Sequence, residues 1–186
     1  MTTVYFVRHA KPDLSVHDDL TRPLTKSGIE ASQLVTKFLQ DKEIDQVFSS
    51  PFKRAIDTVK HFAEDRQMPV KVIDDFRERK ISDHWIEDFN GFAKRQWEDF
   101  DYKLPAGDSL NEVQERNIVA LKILLRDYQG EKLVIGTHGT SLSTIMNYFD
   151  SSFDYDFFNR IKGYMPFIIR LTFSGEKLVD VEERLI

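Results

Sequence analysis

Two arginines and two histidines of this sequence stand at, or shortly after, the ends of short apolar segments. Arg8 and His9 follow the apolar run at residues 3–7, and His138 follows the run at 132–137. Arg54 comes shortly after a third run at 46–49. Guanidinium groups offer parallel donors that match the oxygens of a phosphate group. This combination of residue types predicts a pocket for phosphate.

The apolar patterning predicts the elements that position these residues. Short β-branched and aromatic runs indicate strands, and apolar residues at helical spacing indicate helices. The predicted strands are 3–7, 46–49, 70–73 and 132–137, the predicted helices are 25–40, 51–65, 110–128 and 140–149, and a hairpin joins 166–173 to 177–182. Strands that alternate with helices favour an α/β fold: a three-layer α/β/α sandwich around a mostly parallel six-stranded sheet with one antiparallel edge strand.

The helix starts carry their own signals. Ser50 followed by Pro51 predicts a serine N-cap with proline at the first helical position. Ser109 and Glu112 predict a capping box for the next long helix. Helix N-termini attract anions.

A mostly parallel sheet places the four candidate residues at one rim. Ligands of open α/β sheets bind at the carboxyl ends of the strands, where Arg8, His9 and His138 are expected, with Arg54 on the first turn of a following helix. Each of these residues alone has an ordinary explanation as a surface charge. Their shared position at strand ends favours the phosphate pocket.

Composition sets limits on the function. The chain has 186 residues, which fits one domain, and its 15 Phe predict an aromatic-rich core. A formal net charge of −5 argues against nucleic-acid binding, which needs a basic face. The absence of Cys excludes disulfides, thiolate chemistry and Cys-based zinc sites, and it fits the cytoplasm. We expect no membrane partner, because no apolar run is long enough to span a bilayer and the N-terminus does not resemble a signal peptide.

Two segments could shape the mouth of the pocket. Residues 74–108 are irregular and rich in aromatic residues, which is typical of a lid or insertion over an active site, or of aromatic packing in a small subdomain. The polar loop at 11–24 contributes Lys11, His17 and Arg22, which are either surface charges or contacts at the pocket mouth.

Six short motifs follow one another over residues 4 to about 145. They are Val7-Arg8-His9-Ala10, Pro23-Leu24-Thr25 with Gly28, Ser49-Ser50-Pro51 with Arg54-Ala55, Phe76-Arg77-Glu78, Gly107-Asp108-Ser109 and Thr137-His138-Gly139. Taken together and in this order, they resemble the motifs of the histidine phosphatase superfamily, which also contains the phosphoglycerate mutases. The resemblance implies a phosphoglycerate mutase-like fold.

The resemblance also implies a role for each site residue. His9 would be the nucleophile that becomes a phosphohistidine, and Arg8 and Arg54 would clamp the phosphate oxygens. His138 would donate to another oxygen, and Glu78 would be the general acid, kept protonated by partial burial. The arginines would replace a metal, so neither a metal nor another cofactor is expected, and the partner would be a small phosphorylated metabolite.

The sequence leaves the reaction open at two points. The family often has glycine and then Trp-Glu-Gly after its catalytic glutamate, whereas this chain has Ile-Ser-Asp-His-Trp at 81–85, so the lid and the substrate are not fixed. Hydrolysis of a small phosphomonoester is the leading hypothesis. The alternatives are a cofactor-dependent phosphoglycerate mutase, a protein phosphohistidine phosphatase and a non-catalytic phosphate-binding module. The oligomeric state cannot be predicted.

Overall fold

The computed structural model describes all 186 residues and contains one six-stranded sheet. The strands are β1 (Thr2–Arg8), β2 (Gln46–Ser49), β3 (Val70–Val72), β4 (Lys132–Thr137), β5 (Phe167–Ser174) and β6 (Lys177–Arg184). Their order across the sheet is β3-β2-β4-β1-β5-β6. The first four strands pair in parallel, β5 is antiparallel to β1, and β6 pairs antiparallel with β5 at the edge. The predicted fold class is confirmed, with the reversed strand β5 lying one position inside the edge.

Helices cover both faces of this sheet. They are α1 (Lys26–Leu39), α2 (Lys53–Asp65), α3 (Phe89–Glu98), α4 (Leu110–Asp127), α5 (Gly139–Phe149) and α6 (Tyr155–Ile161). α1 and α2 pack with Tyr5 and Val7 on one face, whereas α4, α5 and α6 pack with Val4 and Phe6 on the other. Successive residues of a strand point to opposite faces, so a strand buried on both sides is apolar throughout. None of the helices combines the length and the hydropathy needed to cross a membrane.

The register of the central strands brings the candidate residues to one edge. Arg8 at the end of β1 is aligned with Thr137 at the end of β4, and Ser49 at the end of β2 is aligned with Gly136. The backbone N–H of His9 donates to the carbonyl oxygen of Thr137 at 3.0 Å. The residues that follow all three strands are therefore neighbours in space.

The start of α2 corrects one sequence prediction. The helix begins at Lys53 rather than at Pro51, and its cap position is Phe52, which makes no side-chain capping bond. Ser50 is not the N-cap, because its hydroxyl oxygen accepts the N–H of Phe52 and bonds to His138 instead. The capping box of Ser109 and Glu112 at the start of α4 is present.

The segment at residues 74–108 is more regular than the sequence indicates. It contains a 3₁₀ turn at Asp74–Phe76 and the helix α3, neither of which was predicted. Trp97 of this segment stacks on Phe158 of α6, with ring centroids 6.1 Å apart. Trp85 remains 55% exposed. The segment thus combines aromatic packing against α6 with one exposed aromatic side chain.

Candidate functional site

The His9 ring is fixed so that one nitrogen is free. Its Nδ1 lies 2.8 Å from the carbonyl oxygen of Ala10. A carbonyl oxygen can only accept, so Nδ1 carries the proton and Nε2 keeps its lone pair. The N–H of Ala10 in turn donates to the hydroxyl of Thr58 on α2 at 2.9 Å. The loop after β1 therefore presents Nε2 of His9, which makes no hydrogen bond, as an available nucleophile.

His138 lies beside His9, with ring centroids 5.3 Å apart and the rings tilted by 59°. Its Nε2 is 2.6 Å from Oγ of Ser50, and its Nδ1 is buried without a hydrogen-bond partner. If Ser50 donates to Nε2, then Nδ1 bears the proton. His138 can then donate from Nδ1 to an anion.

The surroundings of the two histidines keep both rings uncharged. Burial lowers the pKa of His9 well below its usual value, and the charges of Arg54 and Arg8 add to this effect. Burial also lowers the pKa of His138 well below its usual value, with further contributions from Arg54 and His9. Near neutral pH His9 is thus the neutral imidazole that nucleophilic attack requires.

Arg8 is oriented by backbone carbonyls at the end of α6. Its Nη1 donates to the carbonyl oxygens of Ile161 and Tyr164, the latter at 2.9 Å. Its Nε is buried and has no partner. Burial lowers the pKa of Arg8 to about 10, a drop that the charge of Glu78 opposes, so the guanidinium remains positive. A buried donor without a partner is costly, so Arg8 is ready to receive an anion.

Arg54 is held from the loop that follows β1. Its Nη1 donates to the carbonyl oxygen of Asp19 at 2.7 Å, and its Nη2 lies 3.5 Å from the carboxylate of the same residue. The guanidinium carbon is 5.0 Å from the ring centroid of Phe52, which also packs edge-on against His138. Phe52 therefore sets the spacing between the second arginine and the second histidine.

Glu78 joins this cluster through the N-terminus of α5. Its carboxylate oxygens accept the N–H groups of Thr140 at 2.9 Å and Ser141 at 3.0 Å, and Oε1 also accepts the N–H of Arg79. The helix that carries Glu78's partners starts directly after His138. Both oxygens are acceptors here, so donating a proton requires one of them to leave these bonds. Glu78 is half-buried, as the sequence analysis expects.

The three mouth candidates have different environments. Lys11 is exposed. His17 is also exposed and stacks on Trp85, with ring centroids 4.2 Å apart and the planes 10° apart. Arg22 is buried rather than at the surface, and it donates within its own loop to the carbonyl oxygens of Val16 and His17 and to Asp19. Arg22 therefore braces this loop and is not the surface charge that the sequence allowed, while its place at the pocket mouth stays a prediction.

Several residues of the site were not identified from the sequence. They are Asp19, Phe52, Thr58, Thr140 and Ser141, together with the non-capping role of Ser50. Thr58 lies one helical turn after Arg54, a spacing that places both on one face of α2. The others contact residues far away in sequence, so no local pattern reveals them.

The structure brings Arg8, His9, Arg54 and His138 together, with Glu78 at the adjoining helix end. No group of three or more His, Asp or Glu side chains is arranged to hold a metal ion. The arrangement offers two guanidinium groups and two imidazoles to one anion. Because preorganised positive donors stabilise the charge of a transferring phosphoryl group, this cluster is suited to phosphoryl transfer.

Comparisons with known proteins agree with this chemistry. The "Uncharacterized phosphatase PhoE" of Bacillus subtilis is 27% identical over 150 residues, which cover 78% of this chain and 76% of that protein. The "Metal-independent phosphoserine phosphatase" of Arabidopsis thaliana is 24% identical over 163 residues, which cover 78% of this chain and 67% of that protein. The solved structure of Bacillus stearothermophilus YhfR has a TM-score of 0.78 at 22% identity, covering 96% of this chain and 95% of that one, and supports the fold.

The family itself follows from a match along almost the whole chain. The model of the histidine phosphatase superfamily (branch 1) matches residues 4–183. The predicted enzyme class, a phosphatase of the phosphoric monoester hydrolase type, is thereby confirmed. The chain belongs to branch 1 of the histidine phosphatase superfamily.

Proposed function

We propose that this protein hydrolyses small phosphomonoesters through a phosphohistidine on His9, without a metal ion. The observation that carries the proposal is the free Nε2 of His9 beside the unpartnered donors Arg8 Nε and His138 Nδ1. A phosphate ester in this cluster meets a neutral nucleophile, positive guanidinium groups and the neutral N–H donor of His138 at the same time.

In the first step Nε2 of His9 attacks phosphorus, and the bond from phosphorus to the ester oxygen breaks. Arg8 and Arg54 hold the non-bridging oxygens, and Nδ1 of His138 donates to one of them. Phosphoryl transfer needs mainly positioning and charge stabilisation, both of which this cluster supplies. The lone pair of Nε2 becomes the new bond from nitrogen to phosphorus, and the ester oxygen leaves with the bonding electrons.

Glu78 handles the protons of both steps. Its carboxylic acid protonates the departing alkoxide, which leaves as an alcohol. The resulting carboxylate takes a proton from water, whose oxygen attacks phosphorus while the bond to His9 breaks. Inorganic phosphate is released and Glu78 is again protonated. Such an acid contributes least when the leaving group is already stable as an anion.

Turnover of p-nitrophenyl phosphate in excess EDTA tests the proposal. We expect activity to survive the chelator and to disappear in His9→Ala, while His138→Ala and Arg54→Met keep a small fraction. Loss of activity in EDTA that magnesium or zinc restores would refute the metal-free mechanism. Full activity in His9→Ala would refute the nucleophile.

Two further relatives suggest other reactions that the same site could carry out. The chain is 27% identical over 161 residues to the "Probable phosphoglycerate mutase GpmB" of Serratia proteamaculans, covering 79% of this chain and 74% of that protein. It is 35% identical over 68 residues to the "Phosphohistidine phosphatase SixA" of Escherichia coli, covering 36% of this chain and 42% of that protein. Interconversion of 2- and 3-phosphoglycerate that depends on the bisphosphate would indicate a mutase. Dephosphorylation of a phosphohistidine protein in preference to small esters would indicate the second activity.

A further inference from the structure

The backbone at Glu78 is held by an arginine that lies outside the cluster of Arg8, His9, Arg54 and His138. Nη2 of Arg116, on the second turn of α4, lies 3.1 Å from the carbonyl oxygen of Glu78 and 3.2 Å from that of Arg77. The side chain of Arg116 is 12% exposed. Two consecutive carbonyls on one guanidinium group fix the direction of the intervening peptide, and with it the direction in which the Glu78 side chain leaves the backbone.

Asp108 ties the same arginine to the residues after Glu78. Its Oδ2 lies 3.3 Å from Nη2 of Arg116 and accepts the N–H of Lys80 at 2.8 Å. Arg116 and Asp108 therefore clamp the chain on both sides of Glu78. The carboxylate of Glu78 is held separately by the N-terminus of α5, so two helices fix the two ends of this residue.

We propose that Arg116 is a positioning residue for the general acid, which holds the backbone at Glu78 so that its carboxyl group reaches the leaving oxygen. The inference rests on the proposed function, because it concerns the proton that Glu78 delivers. Groups that transfer protons must lie within hydrogen-bond reach of the reacting atom, so a small displacement of the backbone lowers the rate. Arg116 itself does not touch the phosphate in this scheme.

A surface cavity beside Arg116 makes a chemical test possible. The cavity has a volume of about 450 Å³ and is lined by Asp75, Arg77, Asp108, Glu112 and Glu115 together with Arg116. The carboxylates of the cavity favour a cation. Because Arg116 lines the cavity, the space left by Arg116→Ala would be open to it. Free guanidinium ion can therefore enter and replace the missing group.

The experiment compares two substrates in four proteins: wild type, Glu78→Gln, Arg116→Met and the double variant. β-Glycerophosphate has a poor leaving group that needs an acid, whereas p-nitrophenyl phosphate has a good one. We expect Glu78→Gln to lower the rate of the first, phosphoryl-transfer step on β-glycerophosphate about a hundredfold, and Arg116→Met to lower it about tenfold. In both variants the rate of the p-nitrophenol burst, which precedes hydrolysis of the phosphohistidine, should fall less than about threefold. The double variant should be no slower than Glu78→Gln alone.

Chemical rescue and further variants distinguish a positioning role of Arg116 from a purely structural one. Millimolar guanidinium chloride should restore part of the β-glycerophosphate activity of Arg116→Ala, and the same concentration of sodium chloride should not. Arg116→Lys keeps the charge and serves as a second variant if the others fold poorly, with activity between wild type and Arg116→Met. Arg126→Met is the matched control, because Arg126 lies on α4 but pairs only with Asp127.

The outcomes of these experiments separate the role of Arg116 from the proposed function on which it rests. Equal losses on both substrates in Arg116→Met and Arg116→Lys, or losses that multiply with those of Glu78→Gln, would overturn the role of Arg116 and leave the proposed function intact. A Glu78→Gln variant whose first-step rate falls equally on both substrates would remove Glu78 as the acid. That result would overturn the proposed mechanism and this inference together.

Discussion

The hydroxyl of Ser50 bonds to Nε2 of His138 at 2.6 Å, although the two residues are 88 positions apart in the chain. The same hydroxyl oxygen accepts the N–H of Phe52 at 3.1 Å. Since this partner is a donor, Nε2 of His138 is the acceptor that remains for the hydroxyl proton of Ser50, an arrangement that leaves the proton of His138 on Nδ1. Ser50 thus selects the tautomer of the second histidine.

Replacing Ser50 with Ala should therefore lower activity more than stability. We expect kcat on p-nitrophenyl phosphate to fall about tenfold, since His138 loses its tautomeric preference, and the free energy of unfolding to fall by about 1 kcal/mol. Steady-state kinetics and urea denaturation measure the two effects. Ser49→Ala is the matched control, because the buried hydroxyl of Ser49 has no partner. Similar activity in the two variants would contradict the role of Ser50.

Gly139 allows the close approach of Arg8 to the start of α5. A Cβ at this position would lie 3.2 Å from Nε of Arg8, which is tighter than ordinary contact. We expect Gly139→Ala to displace the guanidinium and to raise the inhibition constant of inorganic phosphate about tenfold, while stability changes little. In Gly163→Ala the new Cβ would meet only the carbonyl oxygen of Arg160 at 3.8 Å, and inhibition should be unchanged. Equal inhibition constants in the two variants would show that Arg8 is not displaced.

The depressed pKa values of His9 and His138 make the fold sensitive to mild acid. The folded protein holds these rings neutral, whereas the unfolded chain protonates them below about pH 6.5. The unfolded state then binds more protons, so stability falls as the pH drops through this range, by up to about 1.4 kcal/mol per pH unit for each histidine. Urea denaturation between pH 7.5 and 5.5 should show this slope, and His9→Asn with His138→Asn should flatten it. If the free energy of unfolding of the double variant depended on pH as it does in the wild type, His9 and His138 would not be the cause of the acid sensitivity.

The sequence predicts the clustering of Arg8, His9, Arg54 and His138 well, because the positions of strand ends determine it. Apolar runs identify β1 and β4, and a parallel register then places Arg8, His9 and His138 at one rim whatever the loops do. The same reasoning reaches Arg54 through the start of α2. Charge and residue type at these positions carry the chemistry, and both can be read directly from the chain.

The remaining features depend on contacts between distant segments. The fit of α3 to a helical pattern is weak, because its buried positions are Phe92, Ala93 and Gln96, one of them polar. Gln96 is buried since its amide bonds to Arg79 and to two backbone carbonyls, none of which the local sequence indicates. The bond of Ser50 to His138 likewise competes with the capping role that its local sequence favours. These side chains depart from the role that their local sequence favours because a distant buried partner offers a better hydrogen bond.

Trapping the phosphorylated enzyme tests the central claim most directly. The protein is mixed with phosphate-labelled substrate, quenched in denaturant within the first turnover, and digested to locate the label. We expect an acid-labile, base-stable phosphoryl group on His9, absent from His9→Ala and longer-lived in Glu78→Gln when p-nitrophenyl phosphate is the donor. Label on a serine, on an aspartate or on His138 would contradict the assignment of the nucleophile.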